Sequence, residues 1–566
     1  MKHRSVVANF IFQSAAPSQP VDAVALFRRS HHPSIRSYQG KLAPISGSID
    51  ASDNSPTAAA VRETREETQL IAHRDIRLDF IGPPFSFADE QAQRSWTVYP
   101  FAWTLLVDEK AIILDWEHDG WEWAKPENVL SGAMDDVCVP RLHESLRRVY
   151  FGAKGMFGSD EHMRPGSEAG NAFQAGINLL RDDKDNGARV LATNAVRSLK
   201  EIVDAFPEPA DSSTRALWWK SLRIAAYHLM HSARPSMSAA IASALLEALS
   251  QIEHMIRDPG QTKQDISSQL DICISNRQHA SKRIAQAFTD YLGERAPNSA
   301  DNSAVHIVTL SSSSTIQAAL LHLIGSRQFK KVQVSILESR PRCEGASLAA
   351  AIVSALKNQR HEGPLSSSTT VSITIAPDSH LASFIAPTEP SARVKTYLLL
   401  GADRITVYGD VLNKTLSLSA ASLAQNTQEA TSGQEQQRSV PVVVLSESDK
   451  VAGLSNADAL EQSSARSEKL EREAHGVEAG SVEEVIGIWK VAGVKDGDVE
   501  LLREVMSEGE GAAMQVSVED RIFEWVPARL VSVYMTELGR IYKNYIREMS
   551  VRKTELAAKI FDDLYD

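Results

Sequence analysis

The 566-residue sequence predicts a multi-domain α/β protein: a mixed α/β region, then a helical segment, then a doubly wound parallel-sheet (Rossmann-like) domain. Three observations predict it. The chain is too long for a single core, so roughly two to four domains are expected. From Ala304 short β-branched runs alternate with helical stretches, at Val305 to Leu310, Val332 to Leu337, Val371 to Ala376, Val394 to Leu400 and Val440 to Leu445. Such alternation gives a parallel sheet with helices on both faces, and strands buried on both faces read as near-continuous apolar runs. Between Ser167 and Arg295 apolar residues recur at helical spacing instead, in Val190 to Val203, Trp218 to Met230, Met237 to Ile256 and Ile266 to Leu292.

The remaining elements follow in order. Val6 to Phe12 and Ala23 to Phe27 are apolar runs that read as strands, as does Gly40-Lys41-Leu42 ahead of Pro44 and Gly47. Two more strands are expected at Trp96 to Phe101 and Phe101 to Val107, and a helix from Val139 to Tyr150. Gly152 to Gly170 carries Gly and Ser and reads as a linker. Gln425 to Ser439 and Ser455 to Glu483 are polar and read as disordered or surface inserts. Leu530 to Tyr545 reads as an amphipathic helix. The boundaries expected are a first domain at 1–151, a linker at 152–166, a helical part at 167–300, and a parallel-sheet domain at 301–566 with polar inserts near 425–439 and 455–483.

Composition limits the function. A formal charge of -12 argues against a general nucleic-acid binder, which would show a basic face. The three cysteines, Cys138, Cys273 and Cys343, lie far apart, so a reducing cytoplasm is expected rather than a disulfide framework or zinc site. No apolar run approaches membrane-spanning length, and the apolar run after Met1-Lys2-His3-Arg4 fits a first strand.

The most informative stretch is Arg62 to Glu67, R-E-T-R-E-E, on a helix expected to start at Ser55-Pro56. Ser is a good N-cap and Pro at the first helical position wastes no hydrogen bond. Glu63 precedes Glu66 and Glu67 by three and four residues, so all three carboxylates project from one side. Crowded carboxylates repel unless a cation neutralises them, and hard oxygen ligands suit Mg²⁺ or Mn²⁺ touching a pyrophosphate. The alternative is a solvated helix carrying ordinary surface pairs.

The stretch resembles the Nudix box, G-x5-E-x7-R-E-U-x-E-E-x-G-U with U a bulky aliphatic residue. Arg62, Glu63, Glu66 and Glu67 preserve its core, and Leu70 sits at the last U. Asp53 stands where Glu is expected, with one extra residue before Arg62; Thr64 occupies the first U and Gln69 replaces the second Gly. Gln69 predicts loss of the positive-φ residue after the helix. Gly120 to Leu130 also fits the family's E-x-x-W-x-x-P-E-x-L segment. The resemblance implies an α/β/α sandwich over the first domain and Mg²⁺-dependent cleavage of a nucleoside diphosphate linked to another group. Glu63, Glu66 and Glu67 would be the metal ligands, with Glu63 a ligand or base, and Arg62 an orienting partner.

Further along, several segments resemble the alpha/beta/delta subunits of eukaryotic translation initiation factor 2B and the related sugar-phosphate aldose-ketose isomerases. They are Asp185 to Arg189, Ala233 to Met237, Glu338-Ser339-Arg340-Pro341 through Gly345, Pro377-Asp378-Ser379, Leu400 to Ile405 with Gly409-Asp410 and Asn413-Lys414, and Glu524 to Ala528 leading to Thr536 to Gly539. The resemblance implies a phosphate-binding pocket at Arg234, Ser311, Arg340, Asp403, Asn413 and Lys414, and pairing as a homodimer or with a related subunit. Ser311 stands where the isomerases carry a catalytic Cys, which argues against isomerisation because a hydroxyl is less acidic than a thiol.

Two readings follow. One is a Nudix-type hydrolase fused to an initiation factor 2B-like domain that binds sugar phosphates or nucleotides. The other is a non-catalytic, initiation factor 2B-related regulatory or assembly protein with a degenerate Nudix module; an aldose-ketose isomerase is a third alternative. Neither membrane attachment nor direct nucleic-acid binding is expected.

Overall fold

A computed structural model describes residues 2–13, 23–50, 52–53, 55–152, 155–156, 161–183, 186–233, 238–295, 304–361, 369–385, 394–426, 428–431, 434–437, 440–454, 472, 481–507, 514, 516–562 and 564–565. The chain divides into two compact units, one including Met1–Ser275 and Lys553–Asp566, the other Asn276–Ala457 and Val477–Arg552. The first contains a sheet domain and a helical segment, the second a parallel-sheet domain.

The sheet of the first unit is built from β1 (Lys2–Phe12), β2 (Val24–Arg29), β3 (Leu42–Ala43), β4 (Ile76–Ile81), β5 (Phe85–Asp89), β6 (Arg94–Leu105) and β7 (His118–Ala124). Its order is β3-β2-β1-β6-β4, with β5 on β6 and β7 on β2. β1 and β6 run parallel from Lys2↔Arg94 to Phe12↔Thr104. The two strands expected between Trp96 and Val107 are thus one long strand, because Pro100 lies in register with Ala8 and does not break it. Helix α1 (Pro56–Thr68) buries Ala59 and Ala60 against the core that Val7, Ile11, Phe27, Ile45 and Trp103 share. Short helices α2 (Pro126–Leu130) and α3 (Leu142–Leu146) follow, so the expected Val139–Tyr150 helix is only five residues long.

The expected linker is folded where it is described. β8 (Phe151–Gly152) pairs with β9 (Gly155–Met156), and Met163 is buried. The helical segment then runs through α4 (Glu168–Asp182), α5 (Ala188–Ala205), α6 (Ser212–His231), α7 (Ser238–Arg257) and α8 (Lys263–Gln278). Ser167 and Asp211 cap α4 and α6 by accepting from Gly170 N and Thr214 N. This segment packs onto β4. Phe80 stacks on Phe173 at 6.3 Å, Ser232 Oγ accepts from Ile81 N at 3.0 Å, and Arg181 donates to Asp79 O at 2.8 Å.

In the second unit α9 (Ala280–Gly293) precedes β10 (Ala304–Leu310), α10 (Ser314–Ser326), β11 (Lys331–Leu337), α11 (Glu344–His361), β12 (Thr370–Ala376), α12 (Leu381–Ile385) and β13 (Val394–Leu400). Next come β14 (Arg404–Ile405), β15 (Val411–Lys414), α13 (Ser417–Gln425), β16 (Gln428–Thr431), β17 (Gln434–Gln437), β18 (Val442–Leu445), β19 (Phe523–Val526), β20 (Val533–Thr536) and β21 (Gly539–Ile541). The main sheet has the order β12-β11-β10-β13-β18-β20-β21, parallel except for the β20–β21 hairpin. Alternate residues face opposite cores: Ile307, Tyr397 and Leu399 lie in one, and Val308, Leu398 and Leu400 in the other. That is the double winding the sequence predicts.

Two expectations for this unit change. Leu530–Tyr545 is not one helix: β20 and β21 turn at Gly539, whose φ is +91°, and a helix begins only at Lys543. Val531 and Val533 favour extended backbone, and Gly539 supplies the left-handed turn. Within the Gln425 to Ser439 insert β16 and β17 pair as a hairpin. Apart from Arg472, residues 455–480 lie outside the described residues. Leu538 and Tyr542 are exposed. No helix among the described residues is long and apolar enough to cross a membrane.

Candidate active site

Local sequence sets the position of α1. Ser55 caps it by accepting from Ala58 N, and Pro56 occupies its first turn. Thr64, in place of an aliphatic residue, is fully buried and satisfies its hydroxyl by donating to Ala60 O at 2.7 Å. Gln69 closes the helix at φ +61°, and its N–H donates to Arg65 O. The positive-φ turn is therefore kept without glycine, contrary to the expectation from sequence. The strain of an L-residue there, about 1–2 kcal/mol, is offset by that cap and by the burial of Leu70.

Arg62 is the hub of the box. Its guanidinium forks onto Asp53 at 3.0 and 2.8 Å, and donates to Glu63 at 2.8 Å, Glu66 at 2.9 Å and Ser48 O at 3.1 Å. The extra residue before Arg62 does not prevent the pair with Asp53. Its carboxyl is held below the usual carboxylate range chiefly by the Arg62 hydrogen bonds. Glu66 is the most solvent-exposed of the three box glutamates, with 57% of its side chain accessible.

Glu63 and Glu67 are buried deeper. Glu63 lies directly over Gly47, where a Cβ would stand 1.9 Å from its Cδ. Burial pushes its pKa up, Arg62 opposes, and Glu66 and Glu117 add to the rise. Glu67 is 3% exposed, and burial, then Glu117, Glu63 and Asp115, push it well above the ordinary value. His118 Nε2 lies 3.5 Å from Glu67 Oε2, and burial drives the imidazole pKa down, so burial favours the neutral form of both groups. Glu117 is raised too, by burial and Asp115, against the pull of Arg29. Asp115, Glu117, His118 and Arg29 were missed in the sequence; the only signal was D-W-E-H just ahead of the Gly120-Trp121 segment.

The donor set suits a divalent cation. Glu63, Glu67 and Glu117 all have raised pKa values, and Glu117 adds to the rise at both Glu63 and Glu67, an excess of negative charge that a cation relieves. Among the described residues no three His, Cys, Asp or Glu side chains form a ready-made metal cluster, since Arg62 holds Glu63 and Glu66. Beside Glu63 and Glu117 opens a cavity of about 610 Å³, large enough for a nucleotide-sized ligand.

The second unit gathers polar groups at the carboxyl ends of β10 and β13, where strand order reverses direction, the usual ligand crevice of such sheets. Ser311 follows β10 at φ +62°, and its N–H donates to Ser339 Oγ at 2.7 Å. Its hydroxyl donates to Glu344, whose other oxygen accepts from Lys414 Nζ at 2.9 Å. Burial would raise Glu344, but Lys414 and Ser311 outweigh it and hold the carboxyl below its ordinary range. Asp403 is raised by burial, against the pull of Lys450 and Lys414.

The structure thus brings Ser311, Asp403 and Lys414 into one charge network, joined by Glu344, which sequence reading passed over within the Arg340 to Gly345 segment. Asn413 turns aside to Ser417 Oγ at 2.9 Å, and Arg340 pairs with Glu338. Arg234 lies outside the described residues.

Residues 184–543, more than half of the chain, match the Initiation factor 2 subunit family. The chain belongs to that family. Residues 2–141 match the NUDIX domain, so the initiation factor region follows a Nudix domain within one chain. Solved structures similar to the chain include the Pyrococcus horikoshii OT3 translation initiation factor eIF-2B, 15% identical over 65% of this chain and 96% of that one, at a TM-score of 0.39. Another is eIF2B beta from Chaetomium thermophilum, 13% identical over 69% and 94%, at a TM-score of 0.42. A third is 5-methylthioribose 1-phosphate isomerase from Pyrococcus horikoshii OT3, 15% identical over 69% and 88%, at 0.40. No curated protein matches the chain.

Proposed function

We propose that the Nudix domain hydrolyses a nucleoside diphosphate linked to another group, with Mg²⁺ or Mn²⁺ bound by Glu63, Glu66 and Glu67. The observation that carries this reading is the placing of Glu63 and Glu117 on one cavity with buried Glu67 beside them, all three carboxyls raised above their ordinary range. Strongly perturbed carboxyls in a cleft mark functional sites. A divalent cation, when bound, supplies charge neutralisation on the diphosphate oxygens. Arg62 fixes Glu63 and Glu66 in orientation through its charge-assisted hydrogen bonds. Glu117 lines the cavity, and its raised pKa suits a group that takes a proton from the attacking water. The full chain should cleave such a diphosphate with Mg²⁺ and not with EDTA, and Glu66→Gln should remove turnover without loss of fold. A Glu66→Gln protein with wild-type turnover would show that the site lies elsewhere.

We infer a separate role for the crevice of the second unit: binding a phosphorylated sugar or nucleotide without isomerising it. Ser311 already donates to a carboxylate held below its ordinary range, which is a poor base for activating a hydroxyl. Lys414 meets an anionic ligand only in competition with Glu344. Calorimetry with ribose phosphates should show binding that Lys414→Ala weakens, and NMR of the same mixtures should show no aldose-to-ketose conversion. Conversion that disappears in Ser311→Ala would overturn this reading.

A further inference from the structure

The cavity beside Glu63 has two chemically distinct ends. At the first are Gly47, Glu63 and Glu117. The second is built by strand register. Phe87 on β5 pairs with Trp96 on β6, which pairs with Arg4 on β1. Two residues further out, Asp89 pairs with Arg94. Paired positions two apart project to the same face, so Phe87, Trp96, Arg4 and Arg94 share one wall. Val6 bridges to Ser48 beside Gly47, and Arg4 lies two residues beyond Val6 on β1. At about 3.4 Å per residue the aromatic row therefore stands roughly 7 Å from the carboxylate end, and Arg94 about twice that.

This wall is held in place. Buried Asp89 accepts from the Tyr38 hydroxyl at 2.7 Å, from Trp96 Nε1 at 3.2 Å and from Ala92 N at 3.0 Å. The Arg94 guanidinium lies 5.5 Å from the Trp96 ring centre. The donors to Asp89 are all neutral groups, and it makes no ion pair with Arg4, Arg36 or Arg94. Arg4, Arg36 and Arg94 all line the cavity, and none of them makes an ion pair or side-chain hydrogen bond among the described residues. Asp50, Glu63, Asp89 and Glu117 line the same cavity, yet none of them lies within ion-pair distance of these three guanidinium groups. A neutral base edge would leave them uncompensated; a phosphate neutralises them through charge-assisted hydrogen bonds.

We propose that the far end of the cavity binds a phosphate carried on the substrate's nucleoside, so that the preferred substrates are nucleoside diphosphate derivatives bearing an additional ribose phosphate. The base stacks on Trp96 and Phe87, and Arg4 and Arg94 take the extra phosphate. The inference rests on the proposed hydrolysis only for the position of the diphosphate.

Matched pairs test it: coenzyme A against 3′-dephospho-coenzyme A, and NADPH against NADH, which separate a 3′- from a 2′-phosphate. Calorimetry on the metal-free full chain should show the phosphorylated member of at least one pair binding about 10- to 100-fold more tightly. Arg94→Ala and, on a separate strand, Arg4→Gln should each bring that ratio towards one. Equal binding of both members in both pairs would overturn the proposal, as would a preference that survives both substitutions. Turnover with Mg²⁺ is read separately: tight, arginine-dependent binding without hydrolysis leaves this site standing and contradicts the hydrolase reading.

Discussion

Glu67→Gln should cut hydrolysis sharply while making the metal-free protein more stable. Glu67 is almost fully buried, and burial together with Glu117, Glu63 and Asp115 raises its pKa well above the ordinary value. A carboxyl raised in the folded state favours folding while it is protonated. That contribution is complete below the unfolded carboxyl pKa and is lost as pH rises through the folded pKa. At neutral pH the wild-type protein therefore carries a cost that an uncharged amide of the same shape does not. Melting of the metal-free protein should show the variant about 2–4 °C higher, the shift that roughly 1 kcal/mol gives in a domain of this size. Its thermal midpoint should also fall less steeply with rising pH. Turnover should drop by about 10²–10³-fold, the scale of losing one fixed charge at a reacting group. A variant that is both inactive and less stable at neutral pH would mean that the ionised carboxylate supports the fold.

Gly47→Ala carries the second large effect, and it separates activity from folding. A Cβ at residue 47 would lie 1.9 Å from Glu63 Cδ and 2.0 and 2.2 Å from its carboxylate oxygens. Those atoms end a flexible side chain, so Glu63 can swing away. The Gly47 carbonyl keeps the Val7 N–H at 3.0 Å, and the backbone there is not left-handed. Folding should change by less than about 1 kcal/mol. Hydrolysis should fall by about 10²–10³-fold because the Glu63 carboxylate is displaced. Steady-state turnover and thermal melting on one preparation check both halves. Wild-type turnover in Gly47→Ala would remove Glu63 from the site.

The start of α1 was legible because its signals are local: a Ser N-cap, a Pro in the first turn, and a run of helix formers. The parallel sheet was legible because strands buried on both faces need continuous apolar runs, as Val305 to Leu310 and Val394 to Leu400 provide. What escaped sequence reading depends on contacts between distant segments. Glu117 lies fifty residues after Glu67, and the two are brought together by backbone bonds from Ile113 N to Thr68 O and from Asp115 N to Glu67 O and by the pairing of β7 with β2 just beyond. The left-handed turn at Gln69 is imposed by the packing that follows it, since local preference favours glycine there. Leu530 to Tyr545 was misread because its apolar residues satisfy a helical period and an extended one alike. Gly539 was the overlooked sign of a hairpin. Glu344 was passed over because nothing in its own segment shows that Lys414, seventy residues on, faces it.

The most direct measurement is ³¹P NMR of the full-length protein with nucleoside diphosphate derivatives in Mg²⁺. Cleavage within the diphosphate, requiring Mg²⁺ or Mn²⁺ and absent in Glu66→Gln, is the result expected. No cleavage of any member of a broad panel, or cleavage that continues unchanged in EDTA or in Glu66→Gln, would contradict the assignment of hydrolysis to Glu63, Glu66 and Glu67.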